Sequence, residues 1–393
     1  MELSRESGSA RRAWSLAAAI ASVTGFGLSI GQEAPLLSLL LDQRGVGPTW
    51  NGLNAAAAFI GVLVGPLLTP RAVRVLGIRN FLLLCFAVEA AICPMLKLFD
   101  SFPAWLVLRA AAGLFGSGIF TSSEAWINLL AGDTGRGRVL GVYAAALAAG
   151  FAIGPLVLTM TGLAGWTPFL VNAAIIATAA LPLLGTGNRT LDFGRERGRH
   201  PLAMVRRAPL ILLAVGLFGL HEATLMALLP IWALRLGFDT NLAAATLSAV
   251  FIGSFVLQWP IGLLSDKTSR PLTLRVCGAG GLLGAAVLVG IATPAPPILV
   301  LLAVWGGVAS AIYPVALSMA GDRFRGHDLV SVNAAMIIAY GLGGLVGPAL
   351  GGAAMDVWNP NGLLVFFVVL FAGFCLATVA GRWRGTDKTA RVA

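Results

Sequence analysis

The apolar residues of this chain come in long runs rather than in the short alternations of a soluble sheet. A helix needs about 20 predominantly apolar residues to cross a bilayer. Runs of that kind occupy Trp14–Leu41, Trp50–Leu68, Asn80–Leu98, Ala104–Leu130, Val139–Met160 and Trp166–Leu184. Six more follow at Leu210–Leu234, Leu242–Leu264, Leu272–Ala292, Pro297–Met319, Val330–Ala354 and Gly362–Val379. Between the two sets lies the longest polar stretch, in which Arg189, Arg195, Arg197, Arg199, Arg206 and Arg207 face only Asp192 and Glu196. The pattern predicts an all-α integral membrane protein with twelve spans, as six-helix bundles over 1–184 and 209–393 joined by a basic linker at 185–208. The first run is too long for a signal-peptide core and no small-residue cleavage site follows it, so it reads as span 1.

Composition agrees. The chain is 58% hydrophobic and 11% charged, with a mean hydropathy of +0.86, whereas a soluble domain is about 45–50% apolar and about 25% charged. A net charge of +10 would suit a nucleic-acid partner, but its location argues against one. Among the 27 Lys and Arg, Arg44, Lys97 and Arg235 fall in loops on the side away from the N-terminus and Arg109 falls inside a span. All the others lie in segments on the N-terminal side. The positive-inside rule then places both termini in the cytoplasm. Cys85, Cys93, Cys277 and Cys375 sit in apolar runs without metal-ligand spacing, so no metal or cofactor is expected. No catalytic constellation appears, and an enzyme is not predicted.

The halves repeat each other, as in repeat-built carriers. Ala131–Arg138 reads AGDTGRGR and Ala320–His327 reads AGDRFRGH. Phe59–Gly61 recurs at Phe251–Gly253, and Gly150-x-x-x-Gly154-Pro155 recurs at Gly343-x-x-x-Gly347-Pro348. These glycines let helices approach closely and the prolines permit bends, which suits one half rocking on the other.

Six plus six spans with a basic central loop resemble the major facilitator superfamily. The stretch Gly262–Arg270, GLLSDKTSR, is similar to that family's cytoplasmic loop motif, and the resemblance implies a gate at Asp266, Lys267 and Arg270, with Asp322 and Arg325 from the next loop. The equivalent first-half loop has Arg71 and Arg74 but no acid, so Asp133, beside Arg136, is the expected counterpart. Arg109-x-x-x-Gly113-x-x-Gly116 resembles the family's arginine–glycine motif, associated with proton coupling. Gly141, Gly150, Gly154 and Pro155 fit a fifth-span motif of drug–proton antiporters, although Leu158 and Thr159 stand where that motif ends in a glycine pair. The stretch Ser122–Asn128, SSEAWIN, looks like a bacterial subgroup of small facilitators of mostly unassigned substrate.

Charges inside a bilayer cost at least a few kcal/mol each and demand a reason. Spans 1, 4, 7 and 10 line the cavity in facilitator folds, and Glu33, Arg109, Glu124, His221 and Glu222 lie on the first three of these. Glu33 and Arg109 share a depth and can pair. Glu222 and its neighbour His221 point about 100° apart, and Glu222 is the expected proton carrier. Thr121, Glu124 and Asn128 form a polar stripe, and Tyr313 occupies the repeat position of Glu124. Glu89, on span 3, reads as structural. The expectation is a monomeric secondary transporter of a small solute in the lipid bilayer, coupled to protons and exporting. An importer or exchanger of small organic anions or metabolites is the alternative, and a non-transporting membrane sensor is a third reading.

Overall fold

The computed structural model describes residues 2–131, 136–188, 203–291 and 297–380. Twelve helices among them are long and apolar enough to cross a membrane. Spans 1 to 6 are Arg12–Gln43, Pro48–Leu76, Ile78–Leu98, Phe102–Leu130, Gly141–Thr161 and Thr167–Leu184. Spans 7 to 12 are Pro209–Leu236, Thr240–Lys267, Arg270–Val289, Pro297–Arg323, Gly326–Val357 and Gly362–Ala380. Span 10 is two helices, Pro297–Ser310 and Ile312–Arg323, meeting at Ala311. A four-residue helix, Met204–Arg207, precedes span 7, and residues 189–202 of the expected linker lie outside the described residues.

Several helices outrun their apolar runs. Span 2 continues to Leu76 through Pro66 and Pro70, which carries Arg71 and Arg74 on a helix instead of in a loop. Span 8 continues to Lys267 and likewise carries Asp266. Hydropathy marks where lipid ends, while backbone hydrogen bonding propagates a helix beyond that level until a residue stops it. At span 2 the stop is Gly77, in a positive-φ conformation (φ 77°) that L residues avoid.

The two halves pack by the same scheme. Span 1 lies on span 5 as span 7 lies on span 11, and span 2 lies on span 4 as span 8 lies on span 10. Glycine sets the approach at each seam. A Cβ at Gly61 would sit 2.1 Å from the Ala110 carbonyl oxygen, and one at Gly253 would sit 1.8 Å from that of Ala303. The repeated motif is therefore a repeated helix crossing, permitted only because no side chain intervenes. Gly154 against Leu28 and Gly347 against Leu220 do the same at 2.4 and 2.6 Å. Pro155 and Pro348 lie one residue further along those helices.

Spans 2 and 11, and spans 5 and 8, join the halves. The contacts concentrate at the end remote from the termini. There Ser38 Oγ donates to the Ala227 carbonyl at 2.5 Å, and the Thr49 amide and hydroxyl both donate to Asp356, at 3.0 and 2.5 Å. Arg235 pairs with Asp42 at 2.7 Å. Leu36, Leu37 and Leu39 of span 1 share a buried cluster with Ala244 of span 8. At the opposite end, the ion pairs Arg207–Asp328 and Arg270–Asp322 each stay within one half. So do the bonds from Arg12 to the Leu130 carbonyl and from Arg79 to that of Thr186.

The Asp42–Arg235 pair is partly exposed, at 17% and 31%, and such pairs contribute about 0.2–1 kcal/mol. Arg235→Gln is expected to weaken this seal and raise labelling of a Leu40→Cys reporter by impermeant thiol reagents up to about fivefold. Unchanged labelling would assign the seal to the apolar cluster alone.

Candidate functional site

At mid-membrane the halves meet around four aromatic rings and one carboxylate. Phe218 and Glu222 are four residues apart on span 7 and so share a face. The Phe218 ring lies 5.0 Å from that of Tyr313 on span 10 and stacks at 6.1 Å on Tyr340 of span 11. Phe59 of span 2 brings in the other half, 5.8 Å from Tyr340. The Tyr340 hydroxyl donates to Glu222 Oε2 at 2.8 Å. All five side chains are half-buried, as expected of walls lining a crevice rather than members of a sealed core. Glu124, exposed on span 4, and Glu222 both lie within electrostatic range of Tyr313. Tyr143 of span 5, buried at 8% exposure, is in range of Glu124 and Tyr313.

Among the described residues, no basic side chain contributes to this group. Arg109 is held toward the sealed end, where Nη1 donates to Glu33 Oε1 at 2.5 Å, with 17% and 9% of the two side chains exposed. The guanidinium's charge is thus neutralised locally. His221 turns away from Glu222 into an aromatic cluster. It is 1% exposed, and its ring meets Trp305, Phe367 and Phe371 edge-on at 5.1–5.3 Å. Asn128 donates to the Glu124 backbone carbonyl at 2.9 Å, which caps the polar stripe of span 4.

Those of the expected gate residues that are described lie near helix ends. Arg270 Nε reaches Asp322 Oδ2 at 2.6 Å, and Arg325 donates to the Gly321 carbonyl at 2.5 Å. Asp266 and Lys267 are exposed at the end of span 8. Arg71 and Arg74 are exposed, with Arg74 Nε bonded to the Pro70 carbonyl at 3.3 Å. Asp133 and the Arg136 side chain lie outside the described residues. No group of His, Cys, Asp or Glu among the described residues could hold a metal ion.

Phe59 stands out in the sequence only as part of a repeated packing motif, and Phe218, Tyr340 and Tyr143 do not stand out at all. Phe218 was within reach, because its four-residue offset from Glu222 puts it on the same face. Tyr340 and Phe59 gave no such signal, since only packing across spans brings them to Glu222.

Twelve spans in two like halves, sealed at one end and meeting at a mid-membrane polar crevice, define a secondary transporter that works by alternating access. Residues 16–294 and 211–393 match the model of the Major Facilitator Superfamily, and the chain belongs to that family. It is 28% identical to an uncharacterized MFS-type transporter of Enterobacter sp. (strain 638), over 92% of this chain and 94% of the relative. It is 27% identical to the uncharacterized MFS-type transporter YfkF of Bacillus subtilis (strain 168), with the same coverage. Among solved structures, that of the nucleoside transporter NupG superposes with a TM-score of 0.78 at 14% identity, over 93% of this chain and 98% of that one. A D-xylose–proton symporter superposes at 0.70 and 17%, over 95% and 97%. At these identities the likeness to solved structures is one of fold.

Proposed function

We propose that this transporter imports or exchanges a small, neutral or cationic, ring-bearing metabolite at the Phe218–Tyr313–Tyr340 crevice, with Glu222 as the proton carrier. The carrying observation is the crevice chemistry. Stacked aromatic rings present π-faces to a planar or sugar-like ring. Two carboxyls, Glu124 and Glu222, supply acceptors, and among the described residues no cation balances an anionic solute. Aromatic faces and carboxylates both favour a cation. The organic-anion version of the importer reading needs Arg109 free, and Glu33 occupies it.

The nucleoside transporter and the D-xylose–proton symporter that share this fold favour metabolite carriage over drug export. The expected export motif in span 5 also lacks its terminal glycine pair. The protein acts as a monomer in the bacterial inner membrane with both termini cytoplasmic, the orientation that the basic loops favour.

A thermal-shift panel on the purified protein tests this reading, using free nucleosides and monosaccharides, aromatic amines, and aromatic carboxylates. The first two classes are expected to stabilise it. Phe218→Ala should weaken the strongest ligand about two- to tenfold, the loss of an aromatic contact of about 0.5–1.5 kcal/mol. Stabilisation by the carboxylates alone would overturn the proposal.

A further inference from the structure

The seam between spans 2 and 11 runs in one antiparallel register from the sealed end to the crevice. Pro48, Gly52, Phe59 and Leu63 lie on one face of span 2, and Gly341, Gly344, Pro348 and Gly352 lie on one face of span 11. Near the sealed end the two backbones touch. A Cβ at Gly352 would sit 2.2 Å from the Pro48 carbonyl oxygen, and one at Gly52 would sit 2.0 Å from that of Pro348. Further in, side chains take over. A Cβ at Gly344 would sit 2.1 Å from the Phe59 ring, and one at Gly341 would sit 2.5 Å from the end of Leu63. Phe59 and Leu63 thus fill notches that glycine leaves open. The Tyr340 ring has one aromatic neighbour in each half, Phe218 at 6.1 Å and Phe59 at 5.8 Å. Its backbone is held within its own half, since a Cβ at Gly219 of span 7 would sit 2.3 Å from the Tyr340 carbonyl oxygen.

The internal repeat shows what is particular to this seam. Phe59–Gly61 recurs at Phe251–Gly253, and the glycines of span 5 at 150 and 154 recur at 343 and 347. Phe251 is therefore the counterpart of Phe59, Phe151 that of Gly344, and Leu147 that of Tyr340. Between spans 5 and 8, Phe251 stacks on Phe151 at 5.4 Å, with the rings 22° from parallel. Glycine at 344 removes that second ring, and Phe59 meets instead the tyrosine one helical turn along. Leu147 has no polar group to place, whereas Tyr340 donates to Glu222. Of the two ring contacts that join the halves, the one made by Phe59 leads to a carboxyl of the crevice.

We propose that Phe59 is a positioning residue that makes the Tyr340–Glu222 hydrogen bond conditional on contact between the halves. Seated over Gly344, the ring confines Tyr340 to the orientation in which its hydroxyl reaches Glu222. Opening the sealed end requires Pro48 and Gly52 to leave Gly352 and Pro348, and backbones packed this closely cannot slide past one another. Span 2 must lift away, the Phe59 ring leaves its notch, and the tyrosine hydroxyl is released from the carboxyl. Glu222 then changes partners in the same step that changes access. That consequence for coupling rests on Glu222 as the proton carrier, whereas the dependence of the bond on Phe59 does not.

Ultraviolet resonance Raman spectra of the full-length protein test this without any solute, because the tyrosine doublet reports whether a phenol donates a hydrogen bond. The chain has three tyrosines, and the difference from Tyr340→Phe isolates the signal of this one. Phe59→Ala is expected to lose the donor signature of Tyr340. Phe251→Ala removes the counterpart ring from the other seam and is expected to keep it, although both variants should melt lower than the parent. Gly344→Ala leaves the Phe59 ring in place in the sequence but displaces it from its notch. It is expected to lose the signature too, and it decides alone should Phe59→Ala fail to fold. Retention of the signature in Phe59→Ala or Gly344→Ala overturns the inference. Its loss in Phe251→Ala does the same, since any loosening of the halves would then suffice. A failed solute panel beside the expected spectra would overturn the crevice reading and leave the positioning role standing.

Discussion

Glu222→Gln is expected to abolish solute accumulation driven by a pH gradient in proteoliposomes, while solute-for-solute exchange continues. Glutamine matches the shape of glutamate, and its carbonyl can still accept from the Tyr340 hydroxyl, so the Phe218–Tyr313–Tyr340 wall keeps its place. Only the exchangeable proton is gone. Replacing a charge-assisted acceptor by a neutral one costs about 1 kcal/mol, so solute affinity should fall no more than about tenfold. Accumulation should instead fall to the level of empty vesicles. Wild-type accumulation by the variant would remove Glu222 from coupling.

The second large effect is structural and falls inside the arginine–glycine motif. Gly113→Val would place a Cβ 1.7 Å from the Ala58 carbonyl oxygen and 2.6 Å from its carbon. These are backbone atoms of span 2, so no rotamer change relieves the clash and spans 2 and 4 must separate. Overpacking typically costs about 1–3 kcal/mol, and a collision with backbone belongs at or above the top of that range. The variant should lose most of its folded yield and melt several degrees lower. Gly262→Ala is the control: a Cβ at this loop-motif glycine would meet no atom within 4 Å, and the residue sits in a helix. Alanine there should be neutral or stabilising by up to about 1 kcal/mol. Equal destabilisation by both would mean that the Gly61–Gly113 crossing does not govern stability.

Much of the architecture was legible because lipid imposes it. Every span had to satisfy its own backbone hydrogen bonds and present apolar side chains, so Trp14–Leu41 and its eleven successors were visible as runs. Helix ends were less legible, as Arg71, Arg74 and Asp266 illustrate: beyond the apolar core the helix continues in water, where hydropathy carries no signal. Glycine seams were readable as repeated motifs, but their partners, Thr24 and Leu28 for Gly150 and Gly154, and Ala110 for Gly61, were not.

The candidate site divides along the same line. Sequence alone determined that Glu33, Arg109, Glu124 and Glu222 are charges a bilayer tolerates only for a reason, because the cost of burying them is a property of each residue and its surrounding run. Which carboxyl meets Arg109, that His221 faces Trp305, Phe367 and Phe371 rather than Glu222, and that Tyr340 holds Glu222 were decided only by the tertiary structure. Those relations arise between helices far apart in the chain. The rotation of each helix about its axis is set by packing against its neighbours, and no local pattern of hydrophobic and polar positions encodes it.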